Sequence, residues 1–407
     1  MAGEQRDAIG QGKVSAFRIL NVFFRLGLTS FGGPVAHLGY FREEFVARRK
    51  WLDERAYADL VALCQFLPGP ASSQVGIGVG LAKGGFAGAL AAWVGFTLPS
   101  ALALALFGLG VVAFGDGMSG GWLHGLKIVA VAVVAQAVWG MAKGLCPDAP
   151  RASMAVVGAI LVLVWPSPMA QVLVILIGAM VGLILKQEPG DGTHADLGIG
   201  VPRPLALAVL AVFFILLAGL PLAAALVPNQ AVALIDSFYR SGSLVFGGGH
   251  VVLPLLQSEV VPPGWVGNDA FMAGYGAAQA VPGPLFTFAA YLGAVMGPVP
   301  NGWAGAAICL LAVFLPSFLL VVGVLPYWDR LRRVDKVRRA LTGVNAAVVG
   351  LLLAALYNPV WTSAIFKPAD FGLALVAFTL LVFWKVPAWL VVILAAAGGA
   401  GLALLPV

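Results

Sequence analysis

Apolar runs recur along the whole chain, at 15–40, 57–82, 86–114, 123–143, 153–165 and 168–186, and again at 203–227, 237–257, 269–297, 303–326, 340–358, 371–384 and 386–405. The longer runs match the roughly 20 residues that a helix needs to cross a hydrocarbon core of about 30 Å, and no ten-residue alternation suggests a barrel. The pattern predicts an all-α polytopic membrane protein. One long hydrophilic stretch, 187–202, interrupts it with Glu188-Pro189-Gly190-Asp191-Gly192. It divides the chain into a first unit, 1–186, and a second, 203–407, which begins with an additional segment, 203–227.

Helix breakers interrupt four of the segments, in the same order in each unit. Phe31-Gly32-Gly33-Pro34 precedes Gln65-Phe66-Leu67-Pro68-Gly69-Pro70, and Phe246-Gly247-Gly248-Gly249-His250 precedes Gln279-Ala280-Val281-Pro282-Gly283-Pro284. Phe31 lies 215 residues from Phe246 and Pro68 214 from Pro282. The same spacing relates Arg25 to Arg240, Glu44 to Glu259 and Trp51 to Trp265, and Leu98-Pro99-Ser100 recurs as Leu315-Pro316-Ser317. Leu123 to Lys127 aligns with Leu341 to Asn345. The order of these matches points to an internal duplication.

An odd number of crossings between equivalent points inverts the second copy, and Lys and Arg counts agree. Loop 41–56 holds Arg42, Arg48, Arg49, Lys50 and Arg55, whereas its counterpart 258–268 has no Lys or Arg; loop 115–122 has none, whereas 327–339 holds six. Basic loops stay in the cytoplasm. Both basic loops face one side only if the four broken segments enter and return, so re-entrant or broken helices are expected. Thirteen full crossings are the alternative; either way the N-terminus is cytoplasmic and the C-terminus outside. Inverted repeats with broken helices are a plan of secondary transporters.

Composition narrows the class. Hydrophobic residues make up 60% and charged residues 10%, with a mean hydropathy of +0.96; soluble domains carry about a quarter charged residues. The net charge of +6 reads as a topology signal, and no basic, aromatic-laced domain suggests nucleic acid. The segment from Met1 to Val14, with Glu4, Arg6 and Asp7, does not resemble a signal peptide. Cys64, Cys146 and Cys309 are isolated, without CxxC spacing or clustered His, so neither disulfide, metal nor cofactor is expected.

Two prolines around a glycine remove two N–H donors and bar a continuous helix. Backbone opened in this way must be buried in protein or line a wet cavity, and the helix that restarts presents free N–H groups to an anion. Candidate substrate-binding residues cluster there: Ser30, Gly32, Gly33, His37, Gln65, Pro68, Gly69, Ser72, Ser73 and Gln74 in the first unit; Gly247, Gly248, Gly249, His250, Gln279, Pro282, Gly283 and Thr287 in the second. Arg25 and Arg240 suit a tetrahedral oxyanion as guanidinium forks, or snorkel to the interface. Glu43, Glu44 and Glu259 are candidates for a coupling proton; Lys127 and Asn345 are further candidates. The plainer alternative makes the prolines tolerated kinks and the hydroxyls partners of the preceding turn. Gly76, Gly80 and Gly84 allow close helix packing within one chain as readily as in a homodimer.

Fragments of an intramembrane protease pattern, Glu43-Glu44 with Arg48 and Phe246 with His250, fall in different halves, and no histidine has Asn or Asp four residues on. No HExxH, GxSxG, Walker A or dinucleotide fingerprint occurs. An enzyme is therefore not expected.

At the doubled FGG and PGP motifs, with His37, Trp51-Leu52, His250-Val251-Val252-Leu253-Pro254 and Gly343-Val344-Asn345-Ala346-Ala347, the chain resembles the chromate ion transporter family in its long, two-domain form. The resemblance covers about residues 16 to 405. It implies proton-coupled export of chromate across the bacterial cytoplasmic membrane, conferring chromate resistance, with sulfate a dianion of similar shape. A sulfate transporter and a passive anion channel are the alternatives.

Overall fold

A computed structural model describes residues 13–114, 120–184 and 200–404, and among these every regular element is helical. The signal-peptide reading at 1–12, the linker over 187–199 and the loop tip 115–119 lie outside the described residues.

The first repeat opens with two short hairpins. α1 (Ala16–Thr29) stops at Ser30, and the chain restarts after Gly32 as α2 (Gly33–Arg42), continuing through a π-helical turn, Glu43–Arg48. α2 folds back along α1, because Phe23 stacks on Phe45 at 5.0 Å and meets Phe41 edge-on at 5.6 Å. α3 (Glu54–Phe66) begins where Asp53 accepts from the Ala56 N–H, runs to the first PGP, and returns as the first arm of α4 (Ala71–Phe114). At Gly85 (φ +63°, ψ −155°) α4 reverses, which brings Gly80 against the backbone of Gly88. The 44-residue element is therefore two antiparallel arms.

α1, with 14 residues, covers about 21 Å at 1.5 Å per residue, too little for a 30 Å core. The arms on either side of each break enter and return, as expected for re-entrant segments. The second arm of α4 and α5 (Gly121–Leu145) are longer, followed by α6 (Ala149–Val164) and α7 (Pro168–Gly182).

The extra α8 (Arg203–Leu226) is peripheral, burying Ala206 and Phe213. The second repeat then reproduces the first. α9 (Gln230–Leu244) and α10 (Val252–Val260) form one hairpin, α11 (Asn268–Ala278) and α12 (Phe288–Val295) the other. α13 (Gly302–Val324), α14 (Trp328–Leu331), α15 (Asp335–Ala355), α16 (Pro368–Val382) and α17 (Ala388–Leu404) complete the chain.

One ion pair reports the inversion. Just before α1, the Val14 N–H donates to the Lys83 carbonyl, beside the Gly85 reversal, so the outer ends of the first-repeat hairpins share a side. The second arm of α4 carries the chain away from that side. Its equivalent, α13, ends in the loop holding Arg332, and Arg332 Nη1 donates to Asp59 of α3 at 2.8 Å. A loop that leaves the hairpin side in one repeat returns to it in the other. The two basic loops therefore share one end of the molecule.

The halves interlock. Gly158, Gly178 and Gly182 of α6 and α7 pack on α15, and Gly121 and Gly125 of α5 on α17. Gly76, Gly80 and Gly84 meet Phe23, Gly88 and Ile19, so this small-residue series is used within the chain.

The closest interlock is at the breaks. The Gly283 N–H donates to the Ser30 carbonyl at 2.9 Å, and the Gly69 N–H donates to the Val245 carbonyl at 2.7 Å. Ser30 and Val245 are equivalent at 215 residues, Gly69 and Gly283 at 214. Each PGP break of one half is thus bonded to the backbone just before the FGG break of the other. Gly69 (φ +123°) and Gly283 (φ +91°) occupy the left-handed region. A Cβ on Gly283 would lie 3.0 Å from Ser100 Oγ, and one on Gly69 2.9 Å from Ser317 Oγ, the serines of the duplicated LPS motif.

Gly283→Ala should therefore destabilise the protein by about 2 kcal/mol, combining left-handed strain with displaced neighbours. Gly85→Ala, whose Cβ would meet nothing within 4 Å, should carry the backbone strain alone, about 1 kcal/mol. Unfolding midpoints of both variants in detergent test the difference; equal losses would remove the close approach at Gly283 from the account.

Candidate functional site

The crossed breaks bound a cavity of about 330 Å³. Gly32, Gly33 and Pro34 come from the first FGG break, His250 from the second, Gly283 from the second PGP and Gln279 from just before it. Gln136 of α5 and Lys385 of the α16–α17 connection complete its polar wall; Val133, Leu285 and Leu381 are apolar. Lys385 is the one fixed cation in this lining, and no carboxylate is among the lining residues. α2 and the turns that lead into α10 and α12 begin without a side-chain cap. The first-turn amides of α2 start at the cavity wall, where a bound anion could take the place of a cap.

Two histidines brace the breaks by different means. His37 Nε2–H donates to the Ser30 carbonyl at 3.1 Å, which leaves Nδ1 to accept from the Ser72 hydroxyl at 3.3 Å in the neutral ring. His37 is fully buried against Phe96 and stands behind the break. His250 Nδ1 pairs with the Tyr275 hydroxyl at 2.8 Å while the residue faces the cavity. His37 and His250 are thus not repeat equivalents.

Pro68, Gly69, Ser72, Ser73 and Gln74 lie at the first PGP, outside this cavity's wall. Gln74 Nε2 donates to the Pro68 carbonyl at 2.7 Å, and its Oε1 is buried without a partner, as are Ser73 Oγ, Ser30 Oγ and Ser317 Oγ. Thr287 donates to the Pro284 carbonyl at 2.7 Å. Gln65 is exposed, whereas its equivalent Gln279 lines the cavity. Gly249 touches Pro34 across the two halves, Gly247 packs on Met141 and Leu145, Gly248 lies near Met141, and Pro282 is half-buried.

The charged candidates are spread more widely. Arg240 Nη2 donates at 2.9 Å to both Asp236 and Glu259, which are only 9% and 10% exposed. Arg25 has no side-chain partner among the described residues and faces a separate cleft with Arg18 and Arg49. Glu44 accepts from Arg48 and Arg49 at 2.6 Å each, and Glu43 is exposed. Lys127 bonds Asp269 at 3.0 Å and Asn345 is half-buried in α15; neither lines the cavity.

Sequence reasoning passed over Gln136, Lys385 and Asp236. Lys385 is the only lysine or arginine after Lys367 and lies in the connection between two apolar segments. Asp236 was legible as a carboxylate four residues before Arg240 on one helix face.

Paired re-entrant hairpins meeting at a polar cavity inside a helical bundle define a multi-pass membrane transporter. The chain belongs to the chromate transporter family, whose profile matches residues 17–183 and 232–402, one match in each repeat. It is 30% identical to a chromate transport protein of Pseudomonas aeruginosa over 94% of this chain and 91% of that protein. An uncharacterized transporter of Methanocaldococcus jannaschii is 28% identical over 93% and 88% of the two chains. A probable chromate transport protein of Synechococcus elongatus is 27% identical over 83% of each. No solved structure matches the chain.

Arg240→Ala would leave Asp236 and Glu259 buried together without their cation, and should cost about 3 kcal/mol or more. Arg25→Ala, removing a side chain without such partners, should stay within about 0.5 kcal/mol. Denaturant titration in detergent separates the two; similar losses would contradict the different roles of these equivalent arginines.

Proposed function

We propose that the protein exports chromate from the cytoplasm through the cavity between the crossed breaks, driven by the proton gradient, and so confers chromate resistance. Family membership and relatives named as chromate transport proteins support the substrate. The observation that carries the anion assignment is the cavity wall, with Lys385, Gln136, Gln279 and His250 as polar groups and no carboxylate. A dianion there meets one fixed charge, amide and imidazole donors, and the amide end of α2.

The two basic loops at one end argue for that end being cytoplasmic, with the protein in the bacterial cytoplasmic membrane, the N-terminus inside and the C-terminus outside. The units 1–186 and 203–407, joined by the polar stretch 187–202, would rock against each other about the crossed breaks to expose the cavity alternately. Sulfate, a tetrahedral dianion of the same class, would compete.

Among the carboxylates, Glu259 and Asp236 are best suited to carry the coupling proton. Two buried carboxylates share one guanidinium, so one proton makes the group neutral; Glu44 is already matched by two arginines and Glu43 is exposed.

Uptake of chromate into inside-out vesicles, with and without a proton gradient and with sulfate as competitor, tests the proposal. Lys385→Ala should raise the chromate KM about tenfold or more, the scale of one charge-assisted contact. Glu259→Gln should abolish gradient-driven accumulation while chromate–chromate exchange continues. Gradient-independent wild-type flux would favour a passive channel, and an unchanged KM for Lys385→Ala would displace the substrate from this cavity.

A further inference from the structure

The duplication provides an internal control for one arginine. In the second repeat Arg240 is held by Asp236, four residues before it on α9, and by Glu259 from the returning arm. The equivalent positions of the first repeat are Asn21, Arg25 and Glu44, each displaced by 215 residues. Asn21 carries no charge, and Glu44 accepts from Arg48 and Arg49 at 2.6 Å each rather than from Arg25. The same guanidinium on the same scaffold thus has two built-in anions in one repeat and none in the other.

The space those anions would fill is open. A cleft of about 290 Å³ lies between α1 and the turn after α2, and Arg18, Asn21, Arg25 and Arg49 line it. Arg18 and Arg25 stand two helical turns apart on α1, and neither side chain has a hydrogen-bond or ion-pair partner among the described residues. Arg49 is fixed in place by its bond to Glu44 and by the Trp51 ring 5.6 Å beneath it. The second repeat has Ala233 where Arg18 stands, and no Lys or Arg in 258–268, the counterpart of the loop that holds Arg49. The first repeat therefore carries less acid and more base than the second at these equivalent positions.

We infer that this cleft is a second anion site, separate from the central cavity, that binds a phosphate-type tetrahedral oxyanion through Arg18, Arg25 and Arg49. An arginine on a helix that enters the bilayer needs a counter-anion, since facing it to hydrocarbon costs several kcal/mol. Guanidinium forks match the oxygens of such a group in pairs. The oxyanion can be free in solution or belong to an anionic phospholipid, whose chains would meet Phe17, Phe24 and Leu28, exposed on the same helix.

Asn21→Asp tests the site with little disturbance, because it installs the carboxylate that the second repeat already carries. Native mass spectrometry of the full chain from phosphatidylcholine nanodiscs doped with phosphatidylglycerol reads the lipid source. Calorimetric titration of inorganic phosphate into lipid-free detergent solution reads the free ion. Wild type should bind in at least one arm, and Asn21→Asp and Arg25→Gln should each weaken that binding about tenfold or more, with melting temperatures confirming that both fold. Lys385→Ala should bind as wild type does, independently of any effect on chromate transport. No binding in either arm, equal binding by wild type and both cleft variants, or loss of binding in Lys385→Ala would overturn the site.

Discussion

A backbone amide bared inside a bilayer has no water to turn to, and the fold is built around that constraint. Four helix breaks lie within this chain's apolar segments, and neither repeat satisfies its own breaks entirely. The Gly283 N–H reaches the Ser30 carbonyl and the Gly69 N–H the Val245 carbonyl, so each half completes the hydrogen bonding of the other. Glycine is required at both positions by conformation and by the approach of Ser100 and Ser317. The same crossing explains why the two units do not stand side by side. Their peripheral helices reach across, α6 and α7 onto α15 and α17 onto α5, with glycines at the contacts.

Upon this symmetric frame the side chains are unequal. His37 braces the first FGG break from behind, while His250 faces the cavity. Arg240 is neutralised within the protein, whereas Arg25 faces an open basic cleft. Because the repeats are inverted, residues that are equivalent in the duplication lie toward opposite ends of the molecule. Unequal chemistry at equivalent positions therefore distinguishes one end from the other. A strictly symmetric pair of repeats would offer a bound anion identical routes out of both ends; divergence of this kind is what can give the two routes different affinities.

Much of the frame could be read from residue order. The doubled breakers, the inversion and the re-entrant hairpins followed from proline and glycine positions and from loop basicity, which are local properties. The crossing was not legible, because no periodicity encodes that Gly69 should meet Val245 rather than its own half. The charged candidates divide for a related reason. Arg25 and Arg240 look alike in isolation, and their difference depends on what each returning arm brings beside them, together with the local change from Asn21 to Asp236. Lys385 lines the cavity from the α16–α17 connection, a placement that composition does not reveal. Gly76, Gly80 and Gly84 are ambiguous in sequence, since close packing needs a small residue whichever chain supplies the partner.

The two PGP breaks differ in their surroundings, and the difference bears on how the molecule works. The second borders the cavity through Gly283 and Gln279. The first is outside that wall, with Gln74 Oε1, Ser73 Oγ and Ser317 Oγ buried and unpartnered around it. In a fold with inverted repeats, exchanging the local arrangements of the two halves generates a second conformation facing the other way. Gln65 is exposed while Gln279 lines the cavity, and the exchange would reverse those surroundings. In the proposed alternation the crossed amide bonds would serve as the pivot, because their equivalents would change places while the pattern of pairing is preserved.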